Sequence, residues 1–316
     1  MSGNSGGPYS IPKGALAGGI HASLATPRRS GDRRPNPGAA AEIARWACGQ
    51  GVDGVAVLGM TGEYMDYEFA ERRAVARSVV RAVRCPVTVN CTHTTLSGAL
   101  ELAEEASGDG ASAVTVSPPP FFHRPPSDVR EFLLRFGERM GGEVPLVLYN
   151  LPSCSDWISY ETAEELLASG MYGGMKDASG DGKYFERLVG LKKLVTYRLY
   201  VGNDELFGAA LRRGADGAFS GCAGAVPELM LALAEAVREG DEDAARRWEG
   251  ELKEYLKWVE RFPPPQALRE TLAERCLNVG PEGAPMGEAN RQRLREFRGW
   301  LGEWLERLPK REIASL

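Results

Sequence analysis

Residues Leu146 to Lys176 read LVLYNLPSCSDWISYETAEELLASGMYGGMK. A short apolar run and a Pro/Ser turn lead into a helical pattern, and a second apolar run closes on a lysine. Short apolar runs bounded by Gly, Pro, Asn and Ser suit strands buried on both faces, and Glu161–Ala168 between them has helical periodicity. A strand, helix and strand within about thirty residues make a βα unit with parallel strands. The same pattern continues in both directions. Strand candidates are Gly18–Leu24, Gly54–Leu58, Val87–Asn90, Ala113–Ser117, Leu146–Tyr149, Tyr172–Lys176, Leu199–Val201 and Gly217–Phe219. Helical patterns follow at Ala39–Gly49, Tyr67–Val83, Ser97–Ala106, Ser127–Arg139, Glu161–Ala168, Asp204–Arg212 and Pro227–Glu239. Eight such units fill the roughly 200 to 250 residues of a (β/α)8 TIM barrel. An open doubly wound sheet is the alternative, but no GxGxxG follows the first strand. After Glu239 the strand signal stops. Asp241–Arg261, Pro265–Leu277 and Glu288–Leu308 read as helices, with Arg261-Phe262-Pro263-Pro264-Pro265 breaking the phase between the first two. The expectation is an α/β chain with a loose tail over residues 1–12, the barrel over 13–240 and a C-terminal helical extension over 241–316.

Composition narrows the function. The chain has 316 residues, 43% of them hydrophobic, and a formal net charge of −5. That is ample for a core and unsuited to nucleic acid or an acidic membrane as general partners. No apolar run approaches the ~18 residues of a membrane span, and the opening MSGNSGGPYS lacks the apolar centre of a signal peptide. Cys48, Cys85, Cys91, Cys154, Cys222 and Cys276 include no CxxC pair, and the three histidines form no HExxH. These features suit reduced thiols in a cytoplasmic protein without a metal site, and not a disulfide or zinc framework.

The candidate chemistry lies where strands end, which is where barrels carry reactive groups. Cations here are mostly arginine, 30 against 8 lysines, so a lysine closing an apolar strand is not routine surface charge. Burial favours the neutral amine of Lys176, which can attack a carbonyl to form a Schiff base. The bland alternative pairs Lys176 with Asp177 or another carboxylate. The second strand runs into Gly59-Met60-Thr61-Gly62-Glu63, a turn whose N–H groups and Thr61 hydroxyl suit a carboxylate, or are simply a βα turn. The fifth runs into Tyr149-Asn150-Leu151-Pro152, where Tyr149 is either a proton carrier or a core tyrosine. Anion cradle, proton carrier and amine together make a site for a 2-oxo acid.

GMTGE, YNLP and GMKDASG resemble the corresponding motifs of the dihydrodipicolinate synthase and N-acetylneuraminate lyase family, in the same order and from about Gly18 to the C-terminus. The resemblance implies that Lys176 is the Schiff-base lysine and Tyr149 the proton shuttle. It implies that Met60, Thr61 and Gly62 lie in the carboxylate-binding turn. Gly202-Asn203-Asp204-Glu205 is similar to a loop that contacts substrate hydroxyls, giving Asp204 and Glu205 as substrate-binding candidates. The alternative is a helix start, with both in its first turn. The resemblance also implies a homotetramer or homodimer acting on a small 2-oxo acid and an aldehyde, with no cofactor.

Three departures bear on the substrate. Methionine stands at position 60, where the synthases carry Thr and the lyases Ser. Cys154 stands where the synthases place an arginine for the aldehyde's carboxylate, and a thiol does not replace a guanidinium fork. Phe121-Phe122-His123 stands where the synthases lend a tyrosine to the neighbouring subunit. His123 is either a substitute for that hydroxyl or an exposed imidazole. These changes favour a Schiff-base aldolase or lyase acting on pyruvate or a longer 2-oxo acid, such as a 2-keto-3-deoxy sugar acid. Dihydrodipicolinate synthase itself is the runner-up, and a non-catalytic 2-oxo acid binding homologue is the third reading. His21 and His93 are candidates for the barrel mouth. The basic loop Arg28–Arg34 is either a lid or, as expected, a solvated segment.

Overall fold

The computed structural model describes residues 16–310, so the MSGNSGGPYS tail lies outside the described residues. Eight strands, β1 (Gly19–Ser23), β2 (Gly54–Val57), β3 (Val87–Asn90), β4 (Ala113–Val116), β5 (Leu146–Asn150), β6 (Gly174–Asp177), β7 (Arg198–Val201) and β8 (Gly217–Ser220), close into a barrel in sequence order. The observed strands agree with the expected ones to within two residues at either end. Tyr149 pairs in register with Lys176, and Lys176 with Tyr200. In parallel strands such partners point to the same face, so this row carries three polar side chains side by side.

Leu16–Gly18 together with Thr88–Ala218 form one compact unit. Its helices are α3 (Leu96–Gly108), α4 (Pro126–Met140), α5 (Tyr160–Ala168), α6 (Gly182–Leu191) and the short α7 (Phe207–Arg212). Their starts are written in the sequence. Thr95, Ser159 and Asp181 each accept a hydrogen bond from a first-turn N–H of α3, α5 and α6. Buried tyrosines tie helices down by their tips: the Tyr172 hydroxyl donates to the Leu133 carbonyl and that of Tyr184 to Ile158, both at 2.7 Å. Each phenol buries an apolar ring and still satisfies its hydroxyl.

Gly19–Val87 and Phe219–Lys310 form the second compact unit. It holds α1 (Pro37–Gly49), α2 (Phe69–Ala82), α8 (Gly221–Ala225), α9 (Pro227–Glu239), α10 (Glu242–Val259), α11 (Gln266–Glu274) and α12 (Glu288–Leu305). The helical extension has an aromatic core. Tyr255 stacks on Trp304 with centroids 4.8 Å apart, and its hydroxyl lies 2.7 Å from that of Thr271.

One expectation fails here. Cys48, in the last turn of α1, and Cys85, just after α2, form a disulfide, with Cα atoms 6.4 Å apart. They are 37 residues apart in sequence and match no spacing motif. Only the packing of α1 against α2 brings them within bridging range. Cys91, Cys154, Cys222 and Cys276 are free thiols, as expected.

Closing a 37-residue loop removes about 3–4 kcal/mol of unfolded-chain entropy in the loop model. Reduction, or Cys48→Ser, is expected to lower the melting temperature by several degrees in a thermal unfolding scan. A melting temperature insensitive to both would show that the two thiols are not joined.

Candidate active site

Lys176 lies on β6 one residue before the strand end, 7% exposed, with its Nζ 4.0 Å from the centroid of the Tyr149 ring. The register makes them neighbours. Burial pulls the Lys176 ammonium down from 10.5 to about 7, against an opposing pull from Asp204. A large share of the amine is then free base near neutral pH, as a nucleophile requires. A cation over the negative face of an aromatic ring is stabilised when protonated, so the Tyr149 ring moderates the cost of burial.

Asp177 does not serve as the lysine's counter-ion. It accepts from Asn150 Nδ2 at 2.8 Å and from Ser179 Oγ at 3.0 Å, and burial raises its pKa. Period-two alternation puts its side chain on the other face of β6 from Lys176. The carboxylate that acts on Lys176 is Asp204, in the short 3₁₀ turn Asp204–Leu206 after β7. Asn203 caps that turn by accepting from the Glu205 N–H at 2.9 Å. The loop is thus a helix start, and it holds Asp204 close enough to act on the lysine, while Glu205 is exposed.

Sequence reasoning missed two residues of this region. Asn150 is fully buried, accepts from the Ile158 N–H at 3.1 Å and donates to Asp177, locking the end of β5 to the end of β6. It followed Tyr149 in the quoted motif but carried no signal of its own. Gly202 has no side chain because there is no room for one. A Cβ there would meet Lys176 Cε at 2.8 Å and the Ala178 Cβ at 2.9 Å.

In the second unit, Gly59–Glu63 doubles back at the end of β2. A Cβ on Gly62 would come within 2.7 Å of the Leu58 N, so only glycine allows the return. The Met60 carbonyl accepts from the Glu63 N–H at 3.0 Å, the Gly59 carbonyl from the Tyr64 N–H at 3.4 Å, and the Gly62 carbonyl from the Thr26 hydroxyl at 2.7 Å. The C=O and N–H of one planar peptide point in opposite directions. Fixing the Gly59 and Met60 carbonyls inside the turn therefore aims the Met60 and Thr61 N–H groups away from it, an arrangement suited to an anion. Met60 and Thr61 are half-buried.

The remaining candidates fall on the bland side. His123 is an exposed imidazole whose Nδ1 lies 2.9 Å from Asp156 Oδ1. Phe121 and Phe122 are exposed, at 84% and 70%. His21 is buried against the Phe219 ring, and His93 bonds Thr95 in its own loop. The loop Arg28–Arg34 is not the uniformly solvated segment expected: Arg28 is 5% exposed and ion-paired with Glu63 and Asp66. No helix among the described residues is long and apolar enough to cross a membrane, and no cluster of three His, Cys, Asp or Glu there is placed to hold a metal.

Comparison with known proteins agrees with this geometry. The profile of the dihydrodipicolinate synthetase family matches residues 17–303. A 4-hydroxy-tetrahydrodipicolinate synthase of Alcanivorax borkumensis is 29% identical over 267 residues, covering 80% of this chain and 87% of that protein. A protein of Escherichia coli named as a 2-dehydro-3-deoxy-D-pentonate aldolase is 27% identical over 206 residues, covering 63% of this chain and 68% of its own. The structure of a Ruminococcus gnavus sialic acid aldolase superposes with a TM-score of 0.83 at 20% identity, covering 92% of this chain and 99% of that one, and supports the fold. The chain belongs to the dihydrodipicolinate synthetase family, and both the barrel fold and the lyase class implied by GMTGE, YNLP and GMKDASG hold.

Proposed function

We propose that this lyase makes or breaks a carbon–carbon bond in a 2-oxo acid through an imine on Lys176. The observation that carries the reading is a buried lysine, held down to about 7, against the ring of Tyr149. In this reading the substrate carboxylate rests on the Met60–Thr61 N–H groups and the Thr61 hydroxyl. Lys176 Nζ adds to C2, and Tyr149 delivers the proton that lets the C2 oxygen leave as water. In cleavage the C4 hydroxyl gives up its proton, the electron pair of the C3–C4 bond flows into the iminium, and an aldehyde leaves the C2–C3 enamine on Lys176. In synthesis the iminium loses a proton from C3 of pyruvate, and the enamine attacks an aldehyde. In this reading Asp204, whose charge acts on Lys176, meets substrate hydroxyls near C4, which favours a 2-keto-3-deoxy sugar acid. The half-buried thiol of Cys154 offers no guanidinium for a second carboxylate, which weighs against the 4-hydroxy-tetrahydrodipicolinate synthase reaction. A homotetramer or homodimer in the cytoplasm is part of the same proposal. Exposed Phe121 and Phe122 support assembly, whereas the Cys48–Cys85 disulfide weighs against the compartment.

Incubation with pyruvate and cyanoborohydride is expected to leave one reduced pyruvyl adduct, on Lys176, by peptide mass spectrometry. Lys176→Ala is expected to abolish the adduct and turnover, and full activity in that variant would exclude the imine. Tyr149→Phe is expected to slow turnover by roughly 10² to 10⁴-fold, the usual contribution of a placed proton carrier. Thr61→Val is expected to raise the half-saturating pyruvate concentration.

The pH dependence follows from the lowered lysine. Below its pKa the amine is protonated and inert, so trapping is expected to rise with pH through about 7 and level off above it. A rise continuing towards 10.5, the ordinary lysine value, would show that Lys176 is solvated instead.

Gly202→Ala tests the crowding around the lysine arm. The added methyl would displace Cε, and a misplacement of about 1 Å costs on the order of 10²-fold in rate. The expected result is a loss of that order in kcat/KM with the melting temperature nearly unchanged.

A further inference from the structure

We propose that Arg28, Glu63 and Arg269 are positioning residues that hold the Gly59–Glu63 turn in its carboxylate-binding shape from behind. The inference rests on the reading of that turn given above. It extends the site to a loop and a helix that touch no substrate.

Glu63 is the last residue of the turn and sits in the left-handed region, at φ 50° and ψ 41°. That conformation is costly for a residue with a side chain and persists where the surroundings impose it. Two buried arginines impose it here. Arg28 Nη2 donates to Glu63 Oε1 at 3.0 Å, and Arg269 Nη1 approaches Glu63 Oε2 at 3.4 Å. The carboxylate is thus gripped at both oxygens by different parts of the chain.

Each arginine is itself fixed. Arg28 also donates to Asp66 Oδ2 at 2.7 Å, its backbone N–H donates to the Val279 carbonyl at 3.1 Å, and its guanidinium lies 4.7 Å from the Tyr67 ring centroid. Arg269, on α11, donates to the carbonyls of Thr26 and Pro281 at 2.7 and 2.8 Å and to that of Val279. Thr26 in turn holds the Gly62 carbonyl by its hydroxyl. Both sides of the turn are therefore tied to one buried lattice. A Cβ on Gly280 would lie 1.7 Å from the Arg28 carbonyl oxygen, and one on Gly283 would lie 2.6 Å from Arg28 Nη2. The 279–283 segment of the extension is thus seated directly on Arg28.

Charge and chemistry explain why the parts are these. A lone buried cation is expensive, and two of them tolerate burial only around a shared anion and a full set of acceptors. Arginine has five donors in a planar fork, so Arg269 can serve Glu63 and several carbonyls at once, which a lysine cannot. Removing one member leaves the others charged and under-paired. The nearest relief is movement of Glu63, and with it of the peptide planes that aim the Met60 and Thr61 N–H groups.

The test compares carbonyl compounds with and without a carboxylate. Wild type, Glu63→Gln, Arg269→Met and Arg269→Lys are trapped with cyanoborohydride over a range of pyruvate and, separately, acetaldehyde concentrations, and the Lys176 adduct is quantified. Arg269→Met and Glu63→Gln are expected to raise half-saturating pyruvate by about tenfold or more, the order expected for a displaced charge-assisted contact. The maximal trapping rate and the acetaldehyde curve stay within about twofold of wild type, since Lys176 itself is untouched. Arg269→Lys is expected to fall between, because it restores charge without the fork. Glu63→Gln keeps the shape of the side chain and carries the test if Arg269→Met does not fold. Unchanged half-saturation for pyruvate in a folded Glu63→Gln protein overturns the proposal, as does an equal loss for acetaldehyde. If wild type traps acetaldehyde and pyruvate with the same half-saturation, the turn holds no carboxylate, and that part of the functional reading falls with the inference. If wild type traps neither, the Lys176 reading falls first.

Discussion

Keeping a lysine out of water against an aromatic ring is the constraint on which the proposed chemistry of this protein depends. The ammonium loses hydration that the Tyr149 ring and the charge of Asp204 only partly replace, so the proton is held weakly. Several other features make sense as means to this end. Asp177, the carboxylate next in sequence, is occupied by Asn150 and Ser179 on the opposite face of the strand, so no adjacent ion pair restores the ordinary lysine value. Gly202 clears the space for the lysine arm. Asn150 holds the ends of β5 and β6 in a fixed relation, and with them the row that carries Tyr149 and Lys176.

The chain handles its other buried cations in the opposite way. Arg28 and Arg269 are as deeply buried as Lys176, yet each is surrounded by acceptors. Arg28 is driven above its ordinary pKa because Glu63, Tyr67 and Asp66 together outweigh its burial. Arg269 is pulled down by burial, but a guanidinium holds its proton so tightly that it remains a cation at neutral pH. The distinction is one of side-chain chemistry. A lysine that loses hydration can give up its proton and become a nucleophile, whereas an arginine stays charged and so must be paired. The proposed division follows from this, with reactivity given to Lys176 and rigidity to the lattice behind the Gly59–Glu63 turn.

Departures from the family motifs fall where substrates would differ and spare the imine chemistry. Lys176, Tyr149 and the turn glycines are intact. In the proposed reading the backbone N–H groups of the turn offer the contact to the carboxylate, so Met60 removes one hydroxyl and leaves the cradle. Cys154 and the Phe121–Phe122 pair alter what meets the far end of a substrate or a neighbouring subunit. A retained mechanism with a changed partner is the pattern expected when one fold carries several reactions.

Strand order, most of the helices and the buried lysine were legible in the sequence because each is a local signal: short apolar runs, helical periodicity between them, and a cation closing a buried strand, whereas the helix α6 (Gly182–Leu191) was not read. Such signals depend on neighbours a few residues away, and residue type and spacing determine them. The Cys48–Cys85 bridge, the burial of Arg28 in a loop that reads as solvated, and its meeting with Arg269 across more than two hundred residues depend on packing between distant segments. No local pattern encodes such contacts, because an arginine has the same letter in water and in a buried lattice. By itself the sequence determined that this chain would form a barrel with a lysine closing a buried strand. Tertiary structure decided which charges lose their water, and desolvation is a property of the folded surroundings, not of the residue.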